Sequence, residues 1–289
     1  MLLPKEKEQT LDNIVADLKH TKNVRAVVLG GSYAAGAASE NSDVDLGIYY
    51  SEENPFNIDD IKLIAKKYAV ADDTTVTDFY EWGPWVNGGA WIETASGKVD
   101  FIYRNIQHVT GTIEKAKNGE WENHFEQQPP YGFTSIIYLG ETNCCLPLYD
   151  PHKVIARLKD DVKMYPPKLK LAVVQLSLWS VEFTLWHAEY FYKKQDIYNL
   201  VGCLTRGVKH IVNALFAINE LYPLGDKRAM KILQNAKDVP LNLEQRIDDI
   251  LCVDKYFMRN NIDRLQKLFD ETVRLSNGAY KRFYNLKKA

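Results

Sequence analysis

The spacing of apolar side chains changes character along the chain. Leu11, Ile14, Val15 and Leu18 recur at the period of an amphipathic helix, which ends near "KHTKN". The run "VRAVVLGG" is β-branched and closed by glycines, and predicts a short central strand. "SDVDLGIYY" predicts a second strand, and "NIDDIKLIAKKYA" returns to near-helical spacing. "TTVTDFYEWGPWVNGGAWIETASGKVDFIYR" alternates, with turn signals at "VNGG" and "ASGK", and predicts strands joined by hairpins. "IQHVTGTIEKAKNGEW" is helical again.

Beyond Pro129 the strand signals fade. "YPPKLKLAVVQLSLWSVEFTLWHAEYFYKK" follows a Pro pair, a natural helix start, and a second long helix runs from "DIYNLVGCL" to Pro223. Two more helices are expected between "LNLEQRIDDIL" and the C-terminus. The predicted fold class is α+β, a mixed sheet with flanking helices followed by an all-α bundle. The change of pattern at "EQQPPYG" sets the expected domains at residues 1–130 and 131–289.

Composition adds little to that picture: 46% apolar and 26% charged residues are ordinary for a globular protein. No apolar run reaches the roughly 20 residues of a membrane span. "MLLPKEKEQT" lacks the apolar core of a signal peptide, so a cytoplasmic chain with no membrane partner is expected. The four cysteines have no metal-ligand spacing and read as reduced, buried thiols.

Charge is more informative. Residues 1–149 carry 12 basic against 22 acidic side chains, a balance of −10, while residues 150–289 carry 24 against 16, a balance of +8. An acidic half can hold cations and a basic half can receive phosphate. Two solvated faces that complement each other across a domain contact explain the same asymmetry. No Lys/Arg run is interleaved with aromatics, so extended nucleic-acid binding is not expected.

The chemistry concentrates in "LGGSYAAGAASENSDVDLGIYY", Leu29 to Tyr50. Gly30, Gly31 and Ser32 stand at a strand end, where glycine lets backbone N–H groups approach phosphate oxygens. Asp43 and Asp45 are one residue apart on a strand and share a face. Two such carboxylates repel each other unless a cation lies between them, and Mg²⁺ prefers oxygen ligands. Taken singly, the glycine turn is usually only a turn and the Asp pair only a solvated strand edge. Their joint occurrence in one stretch points to metal-assisted phosphoryl or nucleotidyl transfer.

This stretch resembles the signature of the nucleotidyltransferase superfamily that includes polymerase beta and the minimal and aminoglycoside nucleotidyltransferases. The family pattern is a Gly-Ser turn, then D-x-D or D-x-E after about ten residues, with a third carboxylate on a later strand. Asp100 in "SGKVDFIYR" is favoured for that third position, with Asp78 as its competitor. The resemblance implies that Asp43, Asp45 and Asp100 hold two Mg²⁺ ions, with Gly31 and Ser32 on the triphosphate of ATP or another NTP. It implies NMP transfer, AMP from ATP first, to a hydroxyl of a small molecule (aminoglycoside-type) or a protein. The alternative is a non-catalytic nucleotide-binding or antitoxin-like module that keeps the fold.

In the helical half, Asn199, Arg206, His210, Asn213 and Glu220 form a polar stripe. It either lines the nucleotide cleft, with Arg206 and Lys209 as charge partners of the triphosphate, or faces solvent. Lys227 reaches the γ-phosphate or is a surface lysine near a helix start. Glu182 and Glu189 recur along the preceding helix and are candidates for the base that takes the acceptor's proton; a solvated stripe is the other reading. Trp82, Trp85, Trp91, Trp179 and Trp186 read mostly as core side chains, with base stacking as the alternative.

Overall fold

The computed structural model describes residues 3–39, 41–71 and 74–284. Apolar periodicity builds its first helix, α1 (Lys5–His20), whose buried stripe is Leu11, Ile14, Val15 and Leu18. Strand β1 (Ala26–Leu29) is buried at every position. A single turn, α2 (Gly31–Ala34), leads to β2 (Val44–Tyr50), and α3 (Ile58–Tyr68) opens where the Asn57 side chain accepts from the Asp59 N–H. Next come β3 (Thr75–Val76), β4 (Gly89–Thr94) and β5 (Gly97–Asn105).

These strands form one mixed six-stranded sheet in the order β3-β4-β5-β2-β1-β8, where β8 is Leu146–Tyr149. The β2–β5 pair is parallel and the other pairs are antiparallel. Alternation then sorts the two faces. Val44, Leu46 and Ile48 of β2 and Val99, Phe101 and Tyr103 of β5 pack in one core with α1 and α3. The intervening residues, Asp45 and Asp100 among them, face the other way.

Between β5 and β8 the chain forms α4 (Ile106–Lys117), the short pair β6 (Asn123–His124) and β7 (Phe133–Thr134), and α5 (Ile136–Cys144). Helix α6 (Val154–Val162) follows β8. Two compact units result: Met1–Lys115 with Trp121–Met164, and Ala116–Glu120 with Tyr165–Ala289. The expected break at residues 130 and 131 is therefore about thirty residues early. The reason is β8, which returns to pair with β1 at the sheet edge. Its sequence "LPLY" is too short to show a period, and Pro147 is tolerated because the strand is an edge.

Other expectations also shift. Residues 77–88 form turns rather than a strand, leaving β3 only two residues long. Cys145 is buried, but Cys144 and Cys203 are half-buried and Cys252 is exposed; all four are free. Of the five tryptophans named above only Trp85 is core, while Trp91 and Trp186 are about half exposed, at 50% and 57%.

The second unit is helical, as the pattern anticipated. Helix α7 (Pro167–Lys193) starts with Pro at its first turn and packs along α8 (Ile197–Ile218). Short α9 (Ala229–Leu233), then α10 (Leu243–Leu251) and α11 (Met258–Leu275), complete it. No helix among the described residues is long and apolar enough to cross a membrane.

Candidate active site

The acidic residues sit where the parallel pair begins. Asp45 of β2 is in register with Asp100 of β5, so the two side chains emerge side by side from the same face. Asp43, two residues before Asp45, precedes the strand on that same alternation. Asp78 stands apart: it is exposed, lies after β3 in a turn, and donates its backbone N–H to Glu81. Asp100, not Asp78, is thus the acid opposite Asp45.

The glycine turn closes over Asp45 from the other side. The Gly30 N–H donates to the Asp45 carbonyl at 2.8 Å. Gly31 has φ +55, and a Cβ built on it would lie 1.7 Å from Asp45 Oδ2. Glycine is required here twice over, by the left-handed backbone and by the carboxylate beneath it. Ser32 follows, 7% exposed, inside α2.

Lys98 was not singled out from the sequence, yet it pairs with two of these acids. Its Nζ lies 4.0 Å from Asp43 Oδ2 and 3.9 Å from Asp100 Oδ1. Asp100 Oδ1 is buried and accepts no hydrogen bond among the described residues. Burial pushes the Asp100 carboxyl up to about 6; Lys98 pulls it back, and the charges of Asp45, Asp43 and Glu93 add to the rise. Only the alternation of "GKVD" after a hairpin turn could have pointed to Lys98, since it places Lys98 and Asp100 on one face.

Do these residues fit a hard divalent cation? In kind they do. Three carboxylates share one face, one buried oxygen lacks a donor, and an ammonium already lies between two of them. In arrangement the set is open: among the described residues no three His, Cys, Asp or Glu side chains are gathered as a metal-ligand cluster. Asp43, Asp45 and Asp100 would be the ligands.

The helical unit employs its polar side chains differently from the expectation. Glu182 is fully buried, and it accepts hydrogen bonds from Tyr280 Oη and from the backbone N–H groups of Phe283 and Tyr284. It is a tie for the C-terminal segment, which corrects its reading as an acceptor-facing base. Glu189 Oε2 is paired with Arg259 at 2.7 Å. Lys209 pairs with Asp226 at 3.0 Å, and Arg206 and Lys227 are exposed. His210 is half-buried, and its Nδ1 has no partner among the described residues. Burial, then the charges of Arg206 and Lys209, hold its imidazole down at about 4, so it is neutral at pH 7.

Comparison with known proteins bears on the front unit. The crystal structure of a nucleotidyltransferase-like protein from Exiguobacterium sibiricum 255-15 is similar over 94% of this chain and 78% of that one, at 9% identity and a TM-score of 0.47. No curated protein sequence matches the chain. Residues 12–80 match the family described as polymerase beta, nucleotidyltransferase. That segment contains the Gly30-Gly31-Ser32 turn, Asp43 and Asp45, and ends before Asp100. Over that segment the chain is similar to the polymerase beta nucleotidyltransferase family.

Proposed function

We propose that the protein transfers a nucleoside monophosphate, AMP from ATP in the first instance, to a hydroxyl of a small molecule or a protein. The observation that carries this reading is the in-register pair Asp45 and Asp100, roofed on one side by Gly31. A carboxylate pair of this kind is costly unless a cation is to be held there.

The triphosphate lies along the Gly30-Gly31-Ser32 turn, where the absent side chain at 31 lets backbone and ligand approach Asp45. Asp43, Asp45 and Asp100 hold Mg²⁺, which when bound neutralises phosphate charge and raises the acidity of the acceptor hydroxyl. The acceptor oxygen forms a bond to the α-phosphorus while the α–β phosphoanhydride bond breaks, and pyrophosphate leaves with the bonding pair. The hydroxyl proton is lost to solvent water as the new bond forms. Glu182, tied up within the helical unit, takes no part.

A second reading has one observation of its own. The Lys98 ammonium lies between Asp43 and Asp100, a cation already in place. That favours a nucleotide-binding module without turnover, antitoxin-like modules included. Incubation with α-labelled ATP, Mg²⁺ and a mixed acceptor pool decides between them: label transfer with pyrophosphate release supports the enzyme, and ATP binding without release supports the module.

A further inference from the structure

We propose that the outward face of α7 is a dimer seam, and that its occupant is the same face of a second copy of this chain. The inference uses no residue of the carboxylate site and stands apart from the nucleotidyl-transfer reading.

Helix α7 has two apolar faces. One, including Leu178, Val181 and Leu185, is buried in a unit where α7 packs with α8 and α11. The other runs through Ala172, Leu176, Trp179, Phe183, Trp186 and Tyr190, at intervals of four, three, four, three and four residues. This alternation is the seven-residue repeat with which one helix presents a seam to another. A helix serving only its own bundle turns charge to the solvent side, and none of these six residues is charged.

The seam is open and already ordered. Leu176 is 47% exposed, and Trp186 and Tyr190 are each 57% exposed. Trp179 stacks on Phe183 with ring centroids 5.3 Å apart and planes 8° from parallel, and the Trp186 ring follows 6.2 Å from Phe183. Rings held by one another lose little freedom on docking. Buried Glu182 widens the face by accepting from the Phe283 and Tyr284 N–H groups. The Tyr284 ring lies 6.3 Å from Phe183, and Phe283 is 73% exposed. Together these side chains leave on the order of 700 Å² in water, more than the largest apolar patch usual on a monomer and close to what each partner buries in a stable dimer.

The pattern of size and charge selects a second copy as the occupant. Lys168, Lys193 and Lys194 are exposed at the two ends of α7, and the seam between them is neutral. Antiparallel pairing about Phe183 sets Tyr190 across from Leu176 and Lys194 across from Ala172, so no lysine meets a lysine. Parallel pairing would set each lysine against its own copy. The seam is complementary to itself under a twofold axis, as an isologous interface requires.

The test is sedimentation velocity of the full chain at micromolar concentration, with circular dichroism to confirm helical content. The parent should sediment as a dimer. Trp186→Glu and Tyr190→Glu, both at exposed positions, should each weaken the dimer on the order of 100-fold. Leu63→Glu, at a 69% exposed position on α3, should leave it unchanged. A monomeric parent overturns the proposal, and so does a dimer that survives both glutamates. A monomer that co-sediments with phosphatidylglycerol vesicles, and loses this in Trp186→Glu, overturns it too by assigning the face to a lipid surface.

Discussion

Gly31 lies so close over Asp45 that a Cβ at position 31 would fall 1.7 Å from Asp45 Oδ2. Gly36, five residues on, has a similar positive φ of +64 but nothing within 4 Å of where its Cβ would be. The pair separates backbone strain from crowding of the carboxylate. Either alanine should cost about 1–2 kcal/mol for the left-handed conformation, a few degrees in Tm. Gly31→Ala should in addition abolish Mg²⁺-ATP binding, measured by calorimetry, while Gly36→Ala retains it. Equal binding by both variants would mean that Gly31 guards nothing at Asp45.

Asp100 makes stability depend on pH in an unusual direction. Its folded-state carboxyl sits at about 6 against an ordinary 3.8, so the folded protein binds more protons than the unfolded chain between those values. The contribution is unfavourable above pH 6 and is relieved as pH falls through 6 towards 3.8. Asp100→Asn should therefore raise Tm relative to the parent at pH 7.5, with the gain vanishing near pH 4. A gain independent of pH would show that the carboxyl titrates normally.

Lys98 competes with any divalent ion for Asp43 and Asp100. Lys98→Gln should tighten Mn²⁺ binding to the nucleotide-free protein about fivefold to tenfold, and the effect should shrink in high salt. Titration calorimetry at two salt concentrations reads both. Unchanged affinity would place the ammonium outside the metal's reach.

Glu182 is predicted to be structural. Removing a buried carboxylate that serves three donors leaves those donors unpaired, and Glu182→Ala should cost about 3 kcal/mol or more. Limited proteolysis should then cut the segment around Tyr280–Tyr284 first. Pyrophosphate release per folded molecule should persist. A fully stable but inactive Glu182→Gln would restore the base that the sequence suggested.

Much of the fold could be read from local signals, and the reasons are physical. The glycine turn, the Asp43/Asp45 alternation and the Pro start of α7 are each written within a few residues, so periodicity and backbone preference suffice. Pairing between distant strands is not written locally. Nothing in "LPLY" says that β8 returns to β1, and this one pairing moved the unit boundary to residue 164. The same limit hid Lys98 between two acids. Glu182 misled for the opposite reason. Its stripe on α7 suggested solvent or a cleft, but its partners come from about a hundred residues downstream.

The central claim is that Asp45 and Asp100 serve nucleotidyl transfer, and pyrophosphate release tests it most directly. Parent protein, Asp45→Asn and Asp100→Asn would each be incubated with α-labelled ATP, Mg²⁺ and a mixed acceptor pool, with circular dichroism confirming that the variants fold. The parent should release pyrophosphate and label an acceptor, and either substitution should lower the rate on the order of 10³-fold. Pyrophosphate release by Asp45→Asn at the parent rate, or a parent that binds Mg²⁺-ATP and releases none, would contradict it.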